Sequence, residues 1–461
     1  MTNFANTAKL LLASLALGAA ISCGGGDVWG ESWGWEGVNS SGDDPNQGGI
    51  VAPVSPIRNQ NPYGTCWAFS AMASLESNWM KSNPNSSKDL SEWHLAWFAY
   101  NPVNGTDSMP AFTKSPPASG EDSTFDQGGN VGRATAILSR GTGPVDEVSA
   151  PYQNRKPYPQ SSIPTGNEPR VLGIKDVMMY DRLAKEDIKS MVRTYGALAM
   201  SMYWDDNRYY GTSNAFRYVQ SGTSISTNHG VDIVGWDDNF DKSKFPAGNR
   251  PSANGAWIVR NSWGPTWGDN GYFYMSYDTS LRGFASYIPD SLPAGQKIYQ
   301  YDTLGLVNTV GYTSSATPDT AWFSNIFTAT RNESVKAVAF WSSTAGAQYE
   351  ITIKSGVTGN PSTGTQVHGP QTGTLSHPGY HQIALTSPVS VATGTKFAVV
   401  VKLKEQGYNY PIGVTYVYQG YSDAWTATPG VGFISSSGTS WTDAASASPS
   451  RGVCLKAFTT Q

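Results

Sequence analysis

Charge is scarce in this sequence. Asp, Glu, Lys and Arg make up 14% of its 461 residues, against about 25% in ordinary soluble domains. The net charge is -4 and no long basic run occurs, so the electrostatic footprint of a nucleic-acid binder is missing and no nucleic acid is expected. Cysteine is rarer still. Cys23, Cys66 and Cys454 are too few for a disulfide framework. The five histidines are scattered; His368, His377 and His381 lie near one another, but without the regular spacing of zinc ligands, so neither metal nor cofactor is expected. What the chain has in quantity is glycine (49 residues), serine, threonine and aromatic side chains (12%). That profile suits an exported, β-rich protein, and the length allows two or three domains.

The N-terminus reads as an export signal over residues 1–22. Lys9 supplies a sparse basic region, and Leu10 to Ile21 is an apolar run too short to span a bilayer comfortably. Ala20-Ile21-Ser22-Cys23 resembles the lipobox of bacterial lipoproteins, which implies a lipidated Cys23 and a membrane anchor; ordinary signal cleavage near Ala20 is the alternative. Residues 23–48 are a Gly- and Trp-rich linker. Export to the cell envelope or outer surface, or secretion, follows.

The most informative stretch is Arg58-Asn59-Gln60-Asn61-Pro62-Tyr63-Gly64-Thr65-Cys66-Trp67-Ala68-Phe69-Ser70. Pro62 and Gly64 mark a turn. Beyond it Ala68, Met72, Leu75 and Trp79 form one apolar stripe at helical spacing. Cys66 therefore falls at or near the first turn of a helix, where the dipole and unpaired N–H groups favour a thiolate. The Gln60 amide, across the turn, is suited to an oxyanion hole. A buried structural cysteine is the bland alternative.

Further along, Asp89-Leu90-Ser91-Glu92 reads as a helix start, and Gly128-Gly129 precedes a helical face of Val131, Ala134, Ile137 and Leu138. Residues 186–195 read as a short helix and 197–203 as a strand. His229 to Trp236 reads as another strand, with His229, Val231 and Ile233 on one face. Residues 256–260 form a strand that runs into Asn261-Ser262-Trp263-Gly264.

Gln60, Cys66-Trp67-Ala68-Phe69, Leu90-Ser91-Glu92, Gly128-Gly129, His229-Gly230, and Asn261-Ser262-Trp263-Gly264 with Trp267-Gly268 and Asn270-Gly271-Tyr272 resemble, in chain order, the motifs of papain-like cysteine peptidases. The resemblance implies an α+β fold of two lobes, one helical and one β-barrel-like, over residues 49–295. It implies a polypeptide substrate, with Cys66 as nucleophile, His229 as base, Asn261 orienting the imidazole, and Gln60 with the Cys66 N–H as oxyanion hole. By the same resemblance Gly128 and Gly129 lie along the substrate, Trp263 shields the His–Asn pair and Trp267 lines the leaving-group side. His94 reads as structural.

The sequence also departs from that pattern. His229 follows Cys66 by 163 residues and Asn261 by 195, more than the roughly 130–150 typical of the family; loops at 204–227 and 237–255 account for the excess. Tyr63 stands where relatives often carry a bridging cysteine, so the core alone is expected to stabilise the fold. The short 23–48 stretch leads to the expectation that the enzyme is not a conventional zymogen.

From residue 296 to 461 helical periodicity disappears. Short strands near 321–328, 335–341, 349–354, 381–385, 396–403, 410–416, 431–435 and 452–458 predict an all-β sandwich of jelly-roll type. This half resembles the lectin-like domain that follows papain-like domains in some bacterial proteins. A carbohydrate or surface ligand is implied by the name more than by any residue. Tyr408, Tyr410, Tyr418, Tyr421 and Trp425 would either stack on a sugar or pack between domains, and Cys454 reads as a buried hydrophobe. The expected activity is peptide hydrolysis through a thioester. A catalytically silent adhesin on the same frame, or a transamidase using the same thioester, are the alternatives.

Overall fold

The computed structural model describes residues 49–104, 109–115, 123–221 and 224–461. The expected leader, the linker and Cys23 lie outside the described residues.

Four α-helices are placed by the signals in their own sequence. α1 (Cys66–Ser82) starts directly after the Pro62–Gly64 turn. Its stripe of Ala68, Met72 and Leu75 is buried, with Trp79 packed at the margin. The burial runs all round the helix from Cys66 to Asn78, so α1 is a central helix and not an amphipathic surface one. α2 (Glu92–Tyr100) begins where Ser91 caps it, its Oγ accepting from His94 N at 3.0 Å. α3 (Val131–Ser139) is capped by Asn130, whose Oδ1 accepts from Arg133 N at 2.9 Å. α4 (Lys185–Tyr195) ends at Gly196.

α1, α2 and α3 share one core with the aromatic residues around them. Tyr63 joins it: its ring lies 5.5 Å from Trp93 and 5.3 Å from Phe125, and its hydroxyl donates to the Arg155 carbonyl at 2.6 Å. Trp93 and Phe125 stack at 3.5 Å. Aromatic packing thus occupies the place where a bridging cysteine would stand, and the two described cysteines, both buried, form no disulfide.

Against the helices lies a sheet whose central strands run in the spatial order Gly173–Tyr180, Leu281–Asp290, Leu198–Met202, His229–Asp237, Ala256–Arg260 and Tyr272–Ser276. These pairings are antiparallel. The His229 strand was expected to alternate, but it is buried at every position from His229 to Trp236, because α1 covers one face and further core the other.

The second half is the anticipated β-sandwich. One sheet runs in the order Thr365–Thr374, Gln348–Ser355, Lys396–Lys404, Thr320–Thr328, Gly432–Ser435 and Thr442–Asp443. It faces Lys297–Tyr299, Leu455–Thr460, Glu333–Ser342 and Gly379–Val391 across a core that includes Phe323, Phe340, Ile351, Phe397 and Leu455. A further sheet of three short strands, Asn308–Val310, Ile412–Tyr416 and Arg451–Val453, completes it. The strand expected at 452–458 is broken: Cys454 falls between Arg451–Val453 and Leu455–Thr460, its Sγ directed to the Gly305 carbonyl at 3.4 Å.

One sheet runs through both halves. Gly379–Val391 pairs antiparallel with Gly173–Tyr180, joining Gly379 to Met178, Tyr380 to Val177 and His381 to Asp176. A loop from the sandwich also reaches the helices. Tyr421 packs on Phe112 at 5.0 Å and under the Arg133 guanidinium at 4.6 Å, while Trp425 is buried and donates to the Tyr301 carbonyl at 3.1 Å. Of the aromatics considered for sugar stacking, these two are therefore packing residues. Tyr418 is exposed.

Candidate active site

Three stretches meet at the head of α1. The first is the chain leading into it. Gln60 N donates to the Ser262 carbonyl at 2.8 Å and Gly264 N to the Arg58 carbonyl at 3.0 Å, so this segment pairs with the one that carries Asn261. Ser262 Oγ then donates to Gln60 Oε1 at 2.7 Å, and Gln60 Nε2 donates to the Tyr63 carbonyl at 2.8 Å. An amide nitrogen carries two hydrogens, so one remains for a ligand. Gln60 is buried and held at both ends.

Cys66 opens α1 and is fully buried. Thr65, the residue before it, makes no side-chain cap; its Oγ1 instead lies 2.6 Å from the Tyr152 hydroxyl. The positive end of the helix is thus not capped by a local oxygen, which suits an anion at Cys66.

The second stretch is the His229 strand. A Cβ on Gly230 would lie 3.2 Å from Trp67 Cα, 3.3 Å from Trp67 N and 3.4 Å from the Cys66 carbonyl carbon. The strand that begins at His229 thus passes close against the first turn of α1, and a side chain at Gly230 would require the Cys66–Trp67 backbone to give by a few tenths of an ångström. The pairing of Met202 with His229 fixes the register.

The third stretch follows Ala256–Arg260. Asn261 Oδ1 lies 2.9 Å from His229 Nε2 and also accepts from Ser262 N at 2.9 Å, which holds the carbonyl end of the amide toward the imidazole. Trp263 stacks on the His229 ring at 4.9 Å. Trp267 stands edge-on to Trp263 at 4.9 Å. Trp204 adds a third indole, 4.8 Å from Trp263 and 6.1 Å from the His229 ring. Sequence reasoning placed Trp204 in a loop and missed it; the signal was its position two residues beyond Met202, which pairs with His229.

Gly129 lies against Trp67, and a Cβ there would come within 2.2 Å of the indole. Packing against Trp67 is therefore sufficient reason for glycine at this position. Gly128 accepts from the Tyr100 hydroxyl at 2.8 Å. His94 is buried against Phe98 and Glu168, the structural role expected. His368 pairs with Gln371 at 3.0 Å and stands apart. His377 and His381 instead meet Asp176, a residue distant in sequence on the strand Gly173–Tyr180.

Beneath the site lies a buried polar layer. Ser70 Oγ donates to Asp232 Oδ1 at 3.2 Å. Glu76 accepts from Leu90 N at 2.8 Å and from Ser55. Arg260 donates to the Pro56 carbonyl at 2.8 Å and to Ser55 Oγ at 3.2 Å. Burial pushes the Asp232 carboxyl up to about 8, with Arg260 opposing, and raises Glu76. The elements bearing Cys66, His229 and Asn261 are thereby tied together one layer down.

An imidazole held by an amide oxygen, covered by indoles and placed at a cysteine-bearing helix start is an arrangement able to perform nucleophilic acyl transfer. Comparison with known proteins agrees at the level of family. The chain belongs to the papain family of cysteine proteases, whose family model matches residues 38–97 and 118–288, and a lectin-like domain model matches residues 298–459. The chain is 28% identical over 236 residues to Peptidase 1 of Dermatophagoides farinae, covering 51% of this chain and 61% of that protein. It is 25% identical over 238 residues to fruit bromelain of Ananas comosus, covering 49% and 53%. The chain thus spans about half to three-fifths of these curated relatives. Among solved structures, the cysteine protease and lectin-like domains of Cwp84, a surface layer associated protein of Clostridium difficile, superpose with a TM-score of 0.72 at 24% identity, over 88% of this chain and 86% of that one. Clostridial Cwp84 after propeptide cleavage gives 0.73 at 25% identity, over 88% and 97%. The papain-like fold followed by an all-β domain is shared across both halves.

Proposed function

We propose that this chain is an exported cysteine endopeptidase working through Cys66, His229 and Asn261. The thiolate of Cys66 attacks the scissile carbonyl carbon, and the oxyanion is held by Gln60 Nε2 and the Cys66 N–H. The tetrahedral intermediate collapses with cleavage of the C–N bond, and the His229 imidazolium gives its proton to the departing amine. A water, deprotonated by His229, then hydrolyses the thioester, and Cys66 departs as the thiolate, which restores the thiolate–imidazolium pair. Asn261 keeps the ring in place throughout, and Trp263, with Trp204 behind it, excludes water from the His229–Asn261 bond. Trp267 borders the leaving-group side, and Gly128–Gly129 offers backbone to an extended substrate.

The observation that carries this reading is the 2.9 Å contact of His229 Nε2 with Asn261 Oδ1, on a strand whose Gly230 abuts Cys66. A catalytically silent adhesin has no need of that contact together with Gln60. Transamidation would use the same thioester, and product analysis with a competing amine separates the two.

The proposal extends to the rest of the chain. Residues 49–295 form the peptidase domain and 296–461 the lectin-like domain. Residues 1–22 direct export, with Cys23 carrying a lipid anchor. A cell-envelope or outer-surface location agrees with the surface-layer association of Cwp84, and a carbohydrate or other surface ligand would then bind the sandwich. Cys66→Ala tests the core of the reading: the fold should persist and turnover should vanish. Peptidase activity retained by Cys66→Ala would sink it.

A further inference from the structure

Asp176, His377 and His381 form a second polar cluster, remote from Cys66 in sequence and contributed by both halves of the chain. Asp176 belongs to the strand Gly173–Tyr180 of the papain-like half. His381 belongs to Gly379–Val391 of the sandwich, and His377 lies just before it. One ligand atom from each lies within 4.8 Å of the others. His381 Nδ1 is 3.1 Å from Asp176 Oδ1, and His377 Nε2 is 3.9 Å from the same oxygen. Ligands of a tetrahedral ion at about 2.0–2.1 Å stand roughly 3.3 Å apart, so the three atoms are nearly in place around a common centre. Both histidines are buried and Asp176 is partly so.

Further contacts orient both rings. His377 Nδ1 lies 3.2 Å from the Pro378 carbonyl, which can only accept, so Nδ1 carries a hydrogen and Nε2 is the ring atom turned toward Asp176. Ser342 Oγ donates its single hydrogen to the His377 carbonyl at 3.3 Å. Ser342 Oγ also lies 2.9 Å from His381 Nε2, and His381 Nδ1 faces the Asp176 carboxylate at 3.1 Å. Two ring nitrogens and a carboxylate oxygen thus converge in a mostly buried space, and together they are a donor set for a metal ion. The bonds to Ser342 and Pro378 are also the kind of outer partners that orient metal-bound imidazoles.

We propose that Asp176, His377 and His381 bind a divalent transition-metal ion of the zinc type, with a water completing four-fold coordination. Two imidazoles and one carboxylate suit zinc, whereas calcium and magnesium call for oxygen donors. Because the sandwich strand Gly379–Val391 meets the Gly173–Tyr180 strand over Gly379, Tyr380 and His381 alone, the ion would pin the short junction through which one sheet runs into both halves. The site is independent of the proposed peptidase chemistry.

The test uses the untagged chain carrying Cys66→Ala, which removes the other strong zinc ligand. Calorimetric titration with zinc chloride should give one ion per chain at micromolar Kd or tighter, and zinc should raise the melting temperature. Cobalt(II) in its place should give the intense visible bands of a four-coordinate ion. Asp176→Asn, nearly isosteric and partly exposed, should weaken uptake at least about tenfold and lose those bands, as should His381→Ala. Melting without metal shows whether each variant is folded. Absence of uptake, or uptake of equal affinity in folded Asp176→Asn, overturns the proposal.

Discussion

His229 Nε2 lies 2.9 Å from Asn261 Oδ1, and Trp263 stacks on the same imidazole at 4.9 Å. The ring is therefore fixed by an in-plane contact and covered on one face. A hydrogen bond to a group that becomes charged is worth about 1.5–3 kcal/mol, and each 1.4 kcal/mol is about tenfold. Asn261→Ala should lower kcat/KM about ten- to a hundredfold, chiefly through kcat. Steady-state kinetics on a peptide substrate checks this; an unchanged kcat would remove Asn261 from the mechanism.

The close approach of the His229 strand to α1 makes a second expectation. In Gly230→Ala the added methyl meets backbone at 3.2–3.3 Å, and backbone cannot turn aside as a side chain would. Overpacking of this kind costs about 1–3 kcal/mol. The variant should be folded but less stable by that amount, with a much larger fractional loss of activity, because the strand that moves carries His229. Denaturant unfolding set beside kinetics decides it. Full activity in Gly230→Ala would mean that the spacing of α1 and this strand is not what positions the imidazole.

Much of this was legible in the sequence, for reasons that can be named. Ser91 and the apolar spacing of α1 are local signals, and local physics enforced them. The strands Gly173–Tyr180 and Leu281–Asp290 were not legible, because Lys175, Asp176 and Arg282 interrupt any alternation and their pairing is decided by distant chain. Thr365–Thr374, with Gly369 and Pro370 inside it, reads as a turn; it survives as a strand because it lies at a sheet edge, where proline is tolerated. Trp204 and the meeting of Asp176 with His381 depend on strand register across the molecule, which no local pattern encodes.

Asp232 predicts a pH dependence of stability. Its carboxyl is raised in the folded protein from 3.8 to about 8, so between those values the folded state holds a proton that the unfolded state has released. Stability should fall as pH rises through this window. Glu147, raised to about 7 by burial, adds in the same direction. Denaturant midpoints from about pH 4 to pH 8 should decline, and Asp232→Asn should flatten that decline. A midpoint that rises with pH over this window contradicts the assignment.

In the second half, Lys456 Nζ lies 2.8 Å from Asp302 Oδ1, and both side chains are essentially inaccessible. Removing one partner of a buried pair strands the other charge, at a cost of about 3–5 kcal/mol. Lys456→Met should be destabilised by about that much. Adding Asp302→Asn should recover a large part of it, since the stranded carboxylate is then gone. Additive losses in the double variant would show that the pair is not coupled.

The most direct test of the account is covalent. The purified chain is treated with an epoxysuccinyl peptide, an electrophile that requires a reactive thiolate in a peptide-binding cleft, and the adduct is mapped by mass spectrometry. The account predicts one label on Cys66, absent in His229→Ala. Label on Cys454, whose thiol burial pushes well above its ordinary value, or no label at all, would contradict it and favour a binding protein on the same frame.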